Sequence, residues 1–390
     1  MITPVMPTYA RTDLAFERGE GVYLFDTDGK RYLDFGSGIA VTALGHSHPH
    51  LVETLKSQAE KLWHTSNLYQ IPGQTKLAER LVDNSFADTA FFCNSGAEAL
   101  ECAIKTARKY QSHNGHPERY RIITAEGAFH GRTLATLAAG GQEKHLAGFG
   151  PVVDGFDQVS FGNLNELRAA ITVETAGILV EPVQGESGIR PLGQDFLKGL
   201  RAAADEHGLM LIFDEVQTGM GRTGHLFAHE SSGVAPDIMA LAKGLGGGFP
   251  VGACLATEKA AAGMVAGTHG STFGGNYLAA AAANAVMDVI LEEGFMAKVA
   301  KRGTYLAEKI AKLAARYPKV IETARGEGLL FGLKCVVTNG DLVALAAKKG
   351  LLTVPAGDNV VRLLPPLVVN ETEIDEAVEI LEACCQELND

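Results

Sequence analysis

From about residue 50 onward, short apolar runs alternate with stretches of helical periodicity. The runs are "TAFFCN", "YRIITAEG", "AGILVEPV", "LMLIFDEV", "DIMALA" and "GACLAT". Between two of them, "QDFLKGLRAAADEHG" places Leu197, Leu200 and Ala203 on one helical face and ends at Gly208, a typical C-cap residue. Repeated strand–helix–strand units of this kind predict an α/β fold with a mostly parallel, buried sheet.

The pattern differs at both ends of the chain. "GVYLFDTDGKRYLDF" predicts a hairpin that turns around Asp28 and Gly29. After about residue 275, alanine-rich helices precede two further strand candidates, "GLLFGLKC" and "VVRLLPP", and a last helix, "ETEIDEAVEILEACCQEL". We predict an N-terminal segment, 1–50, that packs with a small α+β domain, 271–390, and a large domain, 51–270, between them.

Composition excludes several classes of protein. The 390 residues are 46% hydrophobic and carry a net charge of −12, which argues against nucleic acid or an anionic membrane as a partner. The six cysteines show no C-x-x-C spacing, so we expect reduced thiols in a cytoplasmic protein rather than disulfides or a metal site. We also expect no signal peptide and no membrane-spanning segment.

Polar residues follow several predicted strands at their carboxyl ends. They are Asn94 and Ser95, the segment 126–130, Glu181, Asp214 with Glu215, and Lys243. In an open parallel sheet, ligands bind beyond the carboxyl ends of the strands. We therefore expect these side chains, although far apart in sequence, to meet along one edge of the sheet.

Three of these positions have chemistry that suggests one ligand. In "NSGAEA", Ser95 and Glu98 form a capping box, and Gly96 leaves amide groups open for an anion. Asp214 ends a strongly apolar strand and needs a partner. Lys243 follows another apolar strand, and burial would lower its pKa and make the amine nucleophilic. Each feature alone also fits an ordinary cap, a structural acid or a solvated lysine, but together they predict pyridoxal phosphate as cofactor.

Six motifs occur in an order that resembles the class III (ornithine-type) aminotransferases of pyridoxal-phosphate fold type I. They are "NSGAEA", "FHGRT", "EPVQGE", "DEVQTGMGRTG", "AKGLGGGFPVGA" and "GSTFGGN". The segments "DFGSGIAVTALGHSHP" and "HTSNLYQIPGQTKLAERL" are similar to those of acetylornithine-type members. The resemblance implies a sheet of the seven-stranded type and a homodimer with active sites at the subunit interface.

The resemblance also implies a reaction. The δ-amino group of N2-acetylornithine would pass to 2-oxoglutarate in two half-reactions, giving N-acetylglutamate 5-semialdehyde and glutamate for arginine biosynthesis. Succinylornithine, ornithine or another ω-amino acid remains an alternative substrate, because the motifs specify the reaction type better than the side chain of the substrate.

Roles follow residue by residue from the resemblance. Lys243 would bind the cofactor aldehyde and move a proton, and Asp214 would keep the ring nitrogen protonated. The remaining cofactor contacts would come from Ser95, Gly96, Ala97, Phe129, Glu215, Val216, Gln217 and, from the partner subunit, Thr272. Ala97 stands where threonine is frequent in the family, which removes one hydroxyl from the phosphate site.

Four residues are implied for the substrates. Arg132, with Ser271 nearby, would bind the α-carboxylate of acetylornithine. Arg362 would bind 2-oxoglutarate, and Glu186 would pair with Arg362 when the oxoacid is absent. Such an exchange would let one site accept first a cationic amine and then a dianion.

Three other classes of protein are alternatives to this interpretation. Gly219, Gly221 and Gly224 match the dinucleotide-binding pattern, although no clear helix follows them. His46 and His48 in "GHSHPH" could suggest a metal-dependent hydrolase. A non-catalytic binding or scaffold protein would not need Lys243 and Asp214 together.

Overall fold

The computed structural model describes residues 4–389. Its strands, in chain order, are β1 (Phe16–Glu20), β2 (Tyr23–Asp26), β3 (Arg31–Asp34), β4 (Thr89–Cys93), β5 (Arg121–Ala125), β6 (Phe156–Val159), β7 (Thr175–Val180), β8 (Val183–Gln184), β9 (Arg190–Pro191), β10 (Met210–Asp214), β11 (Ile238–Leu241), β12 (Gly252–Ala256), β13 (Ile321–Glu327), β14 (Leu330–Cys335), β15 (Leu351–Leu352), β16 (Val354–Ala356) and β17 (Val360–Leu363).

The α-helices are α1 (Ser37–Ala40), α2 (Pro49–Ala59), α3 (Pro72–Asp83), α4 (Gly96–His113), α5 (Leu134–Gly140), α6 (Glu143–Leu146), α7 (Leu164–Ala170), α8 (Gln194–His207), α9 (Glu258–Ala261), α10 (Tyr277–Ile290), α11 (Phe295–Arg316), α12 (Asn339–Lys348) and α13 (Glu371–Asn389). Two 3₁₀ turns span Ala228–Ser232 and Lys243–Leu245.

A seven-stranded sheet forms the centre, in the order β4-β12-β11-β10-β7-β5-β6. Only β12 runs against its neighbours, pairing antiparallel with β11 and with β4. All six apolar runs in the sequence are strands of this sheet, so the prediction of a mostly parallel α/β sheet is confirmed. The strand that the sequence did not reveal is β6, because "FDQV" is a half-exposed edge strand with two polar residues.

Helices pack on this sheet as their periodicity requires. In α8, Leu197, Leu200 and Ala203 are buried, and Gly208 takes the left-handed conformation (φ 66°) that ends the helix. The prediction for this helix is therefore confirmed, including its last residue.

The two ends of the chain share a sheet. The hairpin β2–β3 turns at Asp28 and Gly29 as predicted, and Leu33 of β3 pairs with Leu351 of β15 in the order β1-β2-β3-β15. Next to it lies a sheet of order β13-β14-β17-β16. Leu33 belongs to the same buried cluster as Leu333 of β14. The domain boundaries near residues 50 and 270 remain a prediction.

Among residues 4–389, no helix is both long and apolar enough to cross a membrane.

Candidate active site

A cavity of about 350 Å³ lies beyond the carboxyl ends of β4, β10 and β11. Its walls are Val41, Asn94, Ser95, Gly96, Ala97, Phe129, His130, Gly131, Glu181, Glu186, Asp214, Val216, Gln217, Ala242, Lys243, Gly248, Phe249, Pro250 and Val251. Several of the strand-end residues expected to meet along one edge therefore line the same cavity.

Lys243 begins the 3₁₀ turn directly after β11. Its φ of 44° is in the left-handed region, which costs a non-glycine residue roughly 1 kcal/mol. Burial lowers the pKa of its ammonium group, partly opposed by the charge of Glu186. The glycines that follow are needed for the turn, since Gly247 and Gly248 have φ of 57° and 120°. Burial thus favours the neutral amine, which is the form that reacts with a carbonyl group.

Asp214, the last residue of β10, is fixed by two hydrogen bonds. Its Oδ1 accepts the backbone N–H of Val216 at 3.0 Å, and its Oδ2 lies 2.8 Å from Nδ1 of the buried His130. Burial alone would lower the pKa of His130, but the hydrogen bond and charge of Asp214 outweigh it, so the pKa is raised. The two hydrogen bonds fix the orientation of the carboxylate in the cavity wall.

Glu181 stands beside this pair and behaves differently. Burial, followed by the charge of Asp214, raises the pKa of Glu181 to about 8, with His130 acting in the opposite direction. Its Oε2 accepts the backbone N–H of Phe129 at 3.1 Å. Glu181 therefore fastens the segment that carries Phe129 and His130 to the end of β7.

The start of α4 is open to an anion. Ser95 caps the helix by accepting the N–H of Glu98 at 3.3 Å, as predicted. The carboxylate of Glu98 accepts the N–H of Asn94 at 2.7 Å instead of that of Ser95, so the reciprocal half of the capping box lies one residue earlier than expected. A side chain at Gly96 would place its Cβ 2.7 Å from Cγ1 of Val216, so only glycine fits there.

Arg362 and Glu186 form a two-pronged ion pair at the other side of the cavity. Nη1 donates to Oε1 at 2.6 Å and Nη2 to Oε2 at 3.1 Å. Arg362 Nη1 also reaches Oε1 of Gln217 at 3.4 Å. Burial would raise the pKa of Glu186, but Arg362 outweighs that effect and lowers it. The carboxylate of Glu186 thus takes the hydrogen bonds that Arg362 could otherwise donate to a substrate anion.

Arg132 lies near the cavity but is exposed. Its guanidinium carbon is 5.5 Å from the centre of the Phe129 ring, and its Nη2 is 3.3 Å from Nε2 of His145. Ser271 is tied to the cavity wall, because its Oγ accepts the side-chain N–H of Asn94 at 3.3 Å.

Besides Arg132, Ser271 and Arg362, two further predicted residues are not among the walls of the cavity. The carboxylate of Glu215 turns away and accepts the backbone N–H groups of Ala228 and His229 at 2.7 and 3.0 Å, since it caps the 3₁₀ turn that begins at Ala228. The side chain of Glu215 is therefore engaged outside the cavity, and a cofactor contact from this residue stays a prediction. Thr272 is exposed and lines a separate cavity of about 850 Å³ on the surface.

The competing readings lack their structural requirements. No α-helix follows Gly219–Gly224, so the dinucleotide pattern has no helix start for a pyrophosphate. The histidines of "GHSHPH" do not converge on one metal site: His46 contacts Asp34 at 2.8 Å, whereas His50 contacts a different carboxylate, that of Asp288. Within residues 4–389, no group of three or more His, Cys, Asp or Glu could hold a metal ion.

The sequence did not assign roles to His130 or His145, or to most of the apolar wall. His130 adjoins Phe129 in the motif "FHGRT", but its contact with Asp214 depends on two segments that are far apart in sequence meeting in space. The wall residues Val41, Phe249 and Val251 lie outside the helices and strands, where the sequence has no periodic signal.

The cavity fits a flat aldehyde that bears a phosphate. It offers an amine, a fixed carboxylate and unpaired helix-start amides, and Gly96 leaves a cradle that any Cβ would fill. Fold and site together define an α/β enzyme of the kind that transfers amino groups. The chain belongs to the class-III aminotransferases, whose family model matches residues 6–385.

Known proteins of this type are similar over nearly the whole chain. Acetylornithine aminotransferase from Agrobacterium fabrum is 62% identical over 99% of this chain and 96% of the relative. The structure of N-acetylornithine aminotransferase from Stenotrophomonas maltophilia has a TM-score of 0.85 at 38% identity, covering 97% of both chains. Ornithine aminotransferase from Toxoplasma gondii, with pyridoxal phosphate partially occupying its active site, has a TM-score of 0.94 at 29% identity, covering 99% of this chain and 93% of the other.

Proposed function

We propose that the chain is a pyridoxal-phosphate-dependent transaminase that moves the δ-amino group of N2-acetylornithine to 2-oxoglutarate in arginine biosynthesis. The main support for this reaction type is that Lys243, Asp214 and the start of α4 line the same cavity. The acetylated substrate is supported by the 62% identity to the Agrobacterium enzyme.

The cofactor supplies an aldehyde that condenses with amines and a ring that accepts the electron pair of the bond broken at the substrate carbon. Lys243 Nζ, whose pKa burial lowers, would bind the cofactor aldehyde and carry a proton to and from the carbon that bears the amine. Asp214, held by His130, would accept a hydrogen bond from the protonated ring nitrogen.

Other residues orient the ring and its phosphate. Phe129 and Val216 would pack on its two faces, and Gln217 would bind the ring hydroxyl. The amides of Gly96 and Ala97 would bind the phosphate, as helix starts do. The hydroxyl of Ser95 is engaged with Glu98, so Ser95 would contribute its backbone more than its side chain.

A second copy of the chain would complete the site. Thr272 would reach the phosphate of the partner subunit, and it lines a surface cavity bordered by Leu68, whose side chain is 90% exposed. Other largely exposed aromatic residues are Trp63 and Tyr69, close to Leu68 in sequence, and Phe273, next to Thr272. An exposed apolar surface of this kind supports a homodimer.

The two substrates would be separated by charge. Arg132, with Ser271, would bind the α-carboxylate of acetylornithine while Glu186 neutralises Arg362. When 2-oxoglutarate enters, Glu186 would leave Arg362 and free the guanidinium for the second carboxylate. The buried position of Arg362 (1% exposed) means that it needs an anionic partner in both half-reactions.

We place the enzyme in the cytoplasm, where thiols are kept reduced, because all six cysteines are buried free thiols. The function is tested by measuring kcat/KM of the purified holoenzyme with acetylornithine, succinylornithine, ornithine and γ-aminobutyrate, each with 2-oxoglutarate. The proposal requires acetylornithine to give the highest value. A higher kcat/KM for one of the other amines would overturn the assignment of acetylornithine as the substrate. It would not affect the assignment of the chain to the transaminases.

A further inference from the structure

Arg222 is a buried cation that no step of the proposed reaction uses. Its side chain is almost inaccessible to solvent, and burial lowers the pKa of its guanidinium group to about 10. Within residues 4–389, no carboxylate forms an ion pair with it, in contrast to the equally buried Arg362, which pairs with Glu186. Taking an unpaired charge out of water is costly, so the contacts of Arg222 need an explanation.

These contacts join Arg222 to the two strands β14 and β17. Its backbone carbonyl accepts the N–H of Leu329 at 2.9 Å, and its Nη1 donates to the carbonyl of the same residue at 3.1 Å. Nη1 also donates to the carbonyl of Pro365 at 2.5 Å. Leu329 directly precedes β14 and Pro365 lies two residues after β17, so one side chain holds one end of each strand.

The same strand pair carries Arg362. The two strands run antiparallel, with Gly332 of β14 opposite Arg362 of β17. The turn before β14 also packs closely on the chain that follows Arg222, because a Cβ on Gly328 would overlap the backbone of Thr223. The position of the Arg362 backbone therefore depends on the contacts that Arg222 and its neighbour make with this end of the pair.

Arg362 has few other contacts that could hold its guanidinium group. Besides Glu186, its Nη atoms reach Oε1 of Gln217 at 3.4 Å and the carbonyl of Pro355 at 3.3 Å. Both distances are long for hydrogen bonds of a charged donor. Within residues 4–389, its Nε has no hydrogen-bond partner. Without Glu186, the guanidinium is thus held mainly through its backbone.

We propose that Arg222 is a positioning residue that holds Arg362 in place for the second carboxylate of 2-oxoglutarate. This inference rests on the proposed function, in which Glu186 leaves Arg362 during the half-reaction with the oxoacid. In the half-reaction with the amine, Glu186 itself holds the guanidinium group. The contribution of Arg222 is therefore confined to the half-reaction with 2-oxoglutarate.

Two substitutions at Arg222 test this role. Arg222→Met removes the charge and both hydrogen bonds to carbonyl groups, whereas Arg222→Lys keeps a charged donor on a shorter side chain. The matched control is Arg108→Met. Arg108 is half-buried, and its Nε donates to the carbonyl of Tyr120 at 2.8 Å near the end of α4 that faces away from the cavity.

The measurement follows each half-reaction separately in single turnovers, by the absorbance of the cofactor. The pyridoxal form of each holoenzyme is mixed with acetylornithine, and the pyridoxamine form is mixed with 2-oxoglutarate. The dependence of the rate on substrate concentration gives an apparent dissociation constant for each substrate. A merely structural role of Arg222 would not separate the two constants.

We expect the constant for 2-oxoglutarate to rise about 10-fold in Arg222→Met and less in Arg222→Lys, since a displaced Arg362 loses one charged hydrogen bond to the carboxylate. The constant for acetylornithine should change by no more than about 2-fold, and Arg108→Met should match wild type in both. Equal weakening of both substrates, or an unchanged constant for 2-oxoglutarate, would overturn the proposal. If Arg222→Met does not fold, the same two outcomes are decided with Arg222→Lys.

A double variant shows whether Arg222 acts through Arg362. In an Arg362→Met background, Arg222→Lys should weaken 2-oxoglutarate binding no further, because the group that it positions is absent. A full additional loss in the double variant would contradict this route. If the wild-type pyridoxamine form itself does not react with 2-oxoglutarate, the proposed function fails instead, and that result is read before the variants.

Discussion

At the scale of single residues, the pair of His130 and Asp214 carries the cofactor-binding chemistry. His130→Phe keeps the ring volume but leaves Oδ2 of the buried carboxylate without its partner. Because the imidazole no longer orients the carboxylate toward the ring nitrogen, we expect pyridoxal phosphate to bind roughly 10-fold more weakly, as the loss of one hydrogen bond of about 1.5 kcal/mol would give. The measurement is an absorbance titration of the apoenzyme with the cofactor.

The matched control is His116→Phe, which breaks a contact between exposed side chains, His116 and Glu118. Its titration should coincide with that of wild type. Equal cofactor affinity in His130→Phe and wild type would show that Asp214 does not depend on the imidazole.

Glu181 gives a pH dependence of stability whose sign follows from its pKa of about 8. Between pH 4.5, the ordinary value, and about 8, the unfolded chain releases this proton while the folded chain keeps it, so stability is lost as the pH rises. Glu181→Gln cannot release a proton. We expect the apoenzyme variant to lose less unfolding free energy than wild type across this window, measured by denaturant unfolding.

The exposed Glu174→Gln provides the comparison for that experiment and should follow the wild-type curve. Parallel curves for wild type and Glu181→Gln would mean that the carboxyl titrates normally despite its burial.

At the scale of elements, the contact between the start of α4 and the residues after β10 shapes the phosphate end of the cavity. In Gly96→Ala, the new Cβ would lie 2.7 Å from Cγ1 of Val216, so one of the two segments must shift. Forced packing of this kind costs about 1–3 kcal/mol. We expect a lower melting temperature and weaker binding of pyridoxal phosphate.

Gly340→Ala tests the same change in α12, where no atom lies within 4 Å of the new Cβ. That variant should be as stable as wild type or slightly more so. If Gly96→Ala binds the cofactor like Gly340→Ala, the close approach at Gly96 has no functional consequence.

Some helices and strands could be predicted from the sequence, and others could not. The buried strands and α8 were predictable because their periodicity is set locally, down to the end at Gly208. The edge strand β6 was not, because half of its surface faces solvent and its pattern is weak. Likewise, Lys243 and Asp214 are recognisable because they stand at strand ends. The orientation of the Glu215 side chain depends on the 3₁₀ turn after Phe227, and no local sequence pattern predicts that turn.

At the scale of the whole molecule, the N-terminal segment is part of the core of the C-terminal region. Leu33 is 1% exposed and lies on β3, which pairs with β15. Leu33→Ala should therefore destabilise the protein by about 2–5 kcal/mol, because it leaves a cavity between segments from both ends of the chain. Denaturant unfolding of the apoenzyme measures this loss.

Val336→Ala truncates an apolar side chain that is 56% exposed and should change stability by no more than about 0.5 kcal/mol. A similarly small effect at Leu33 would mean that the N-terminal strands can detach without cost to the rest of the protein.

The central claim is that one cavity brings Lys243 to the aldehyde of pyridoxal phosphate. Borohydride reduction of the holoenzyme, followed by peptide mass mapping, tests it most directly. The account predicts a pyridoxyl group on Lys243 and on no other lysine. A label on a different residue, or a protein that retains no label after reduction, would contradict it.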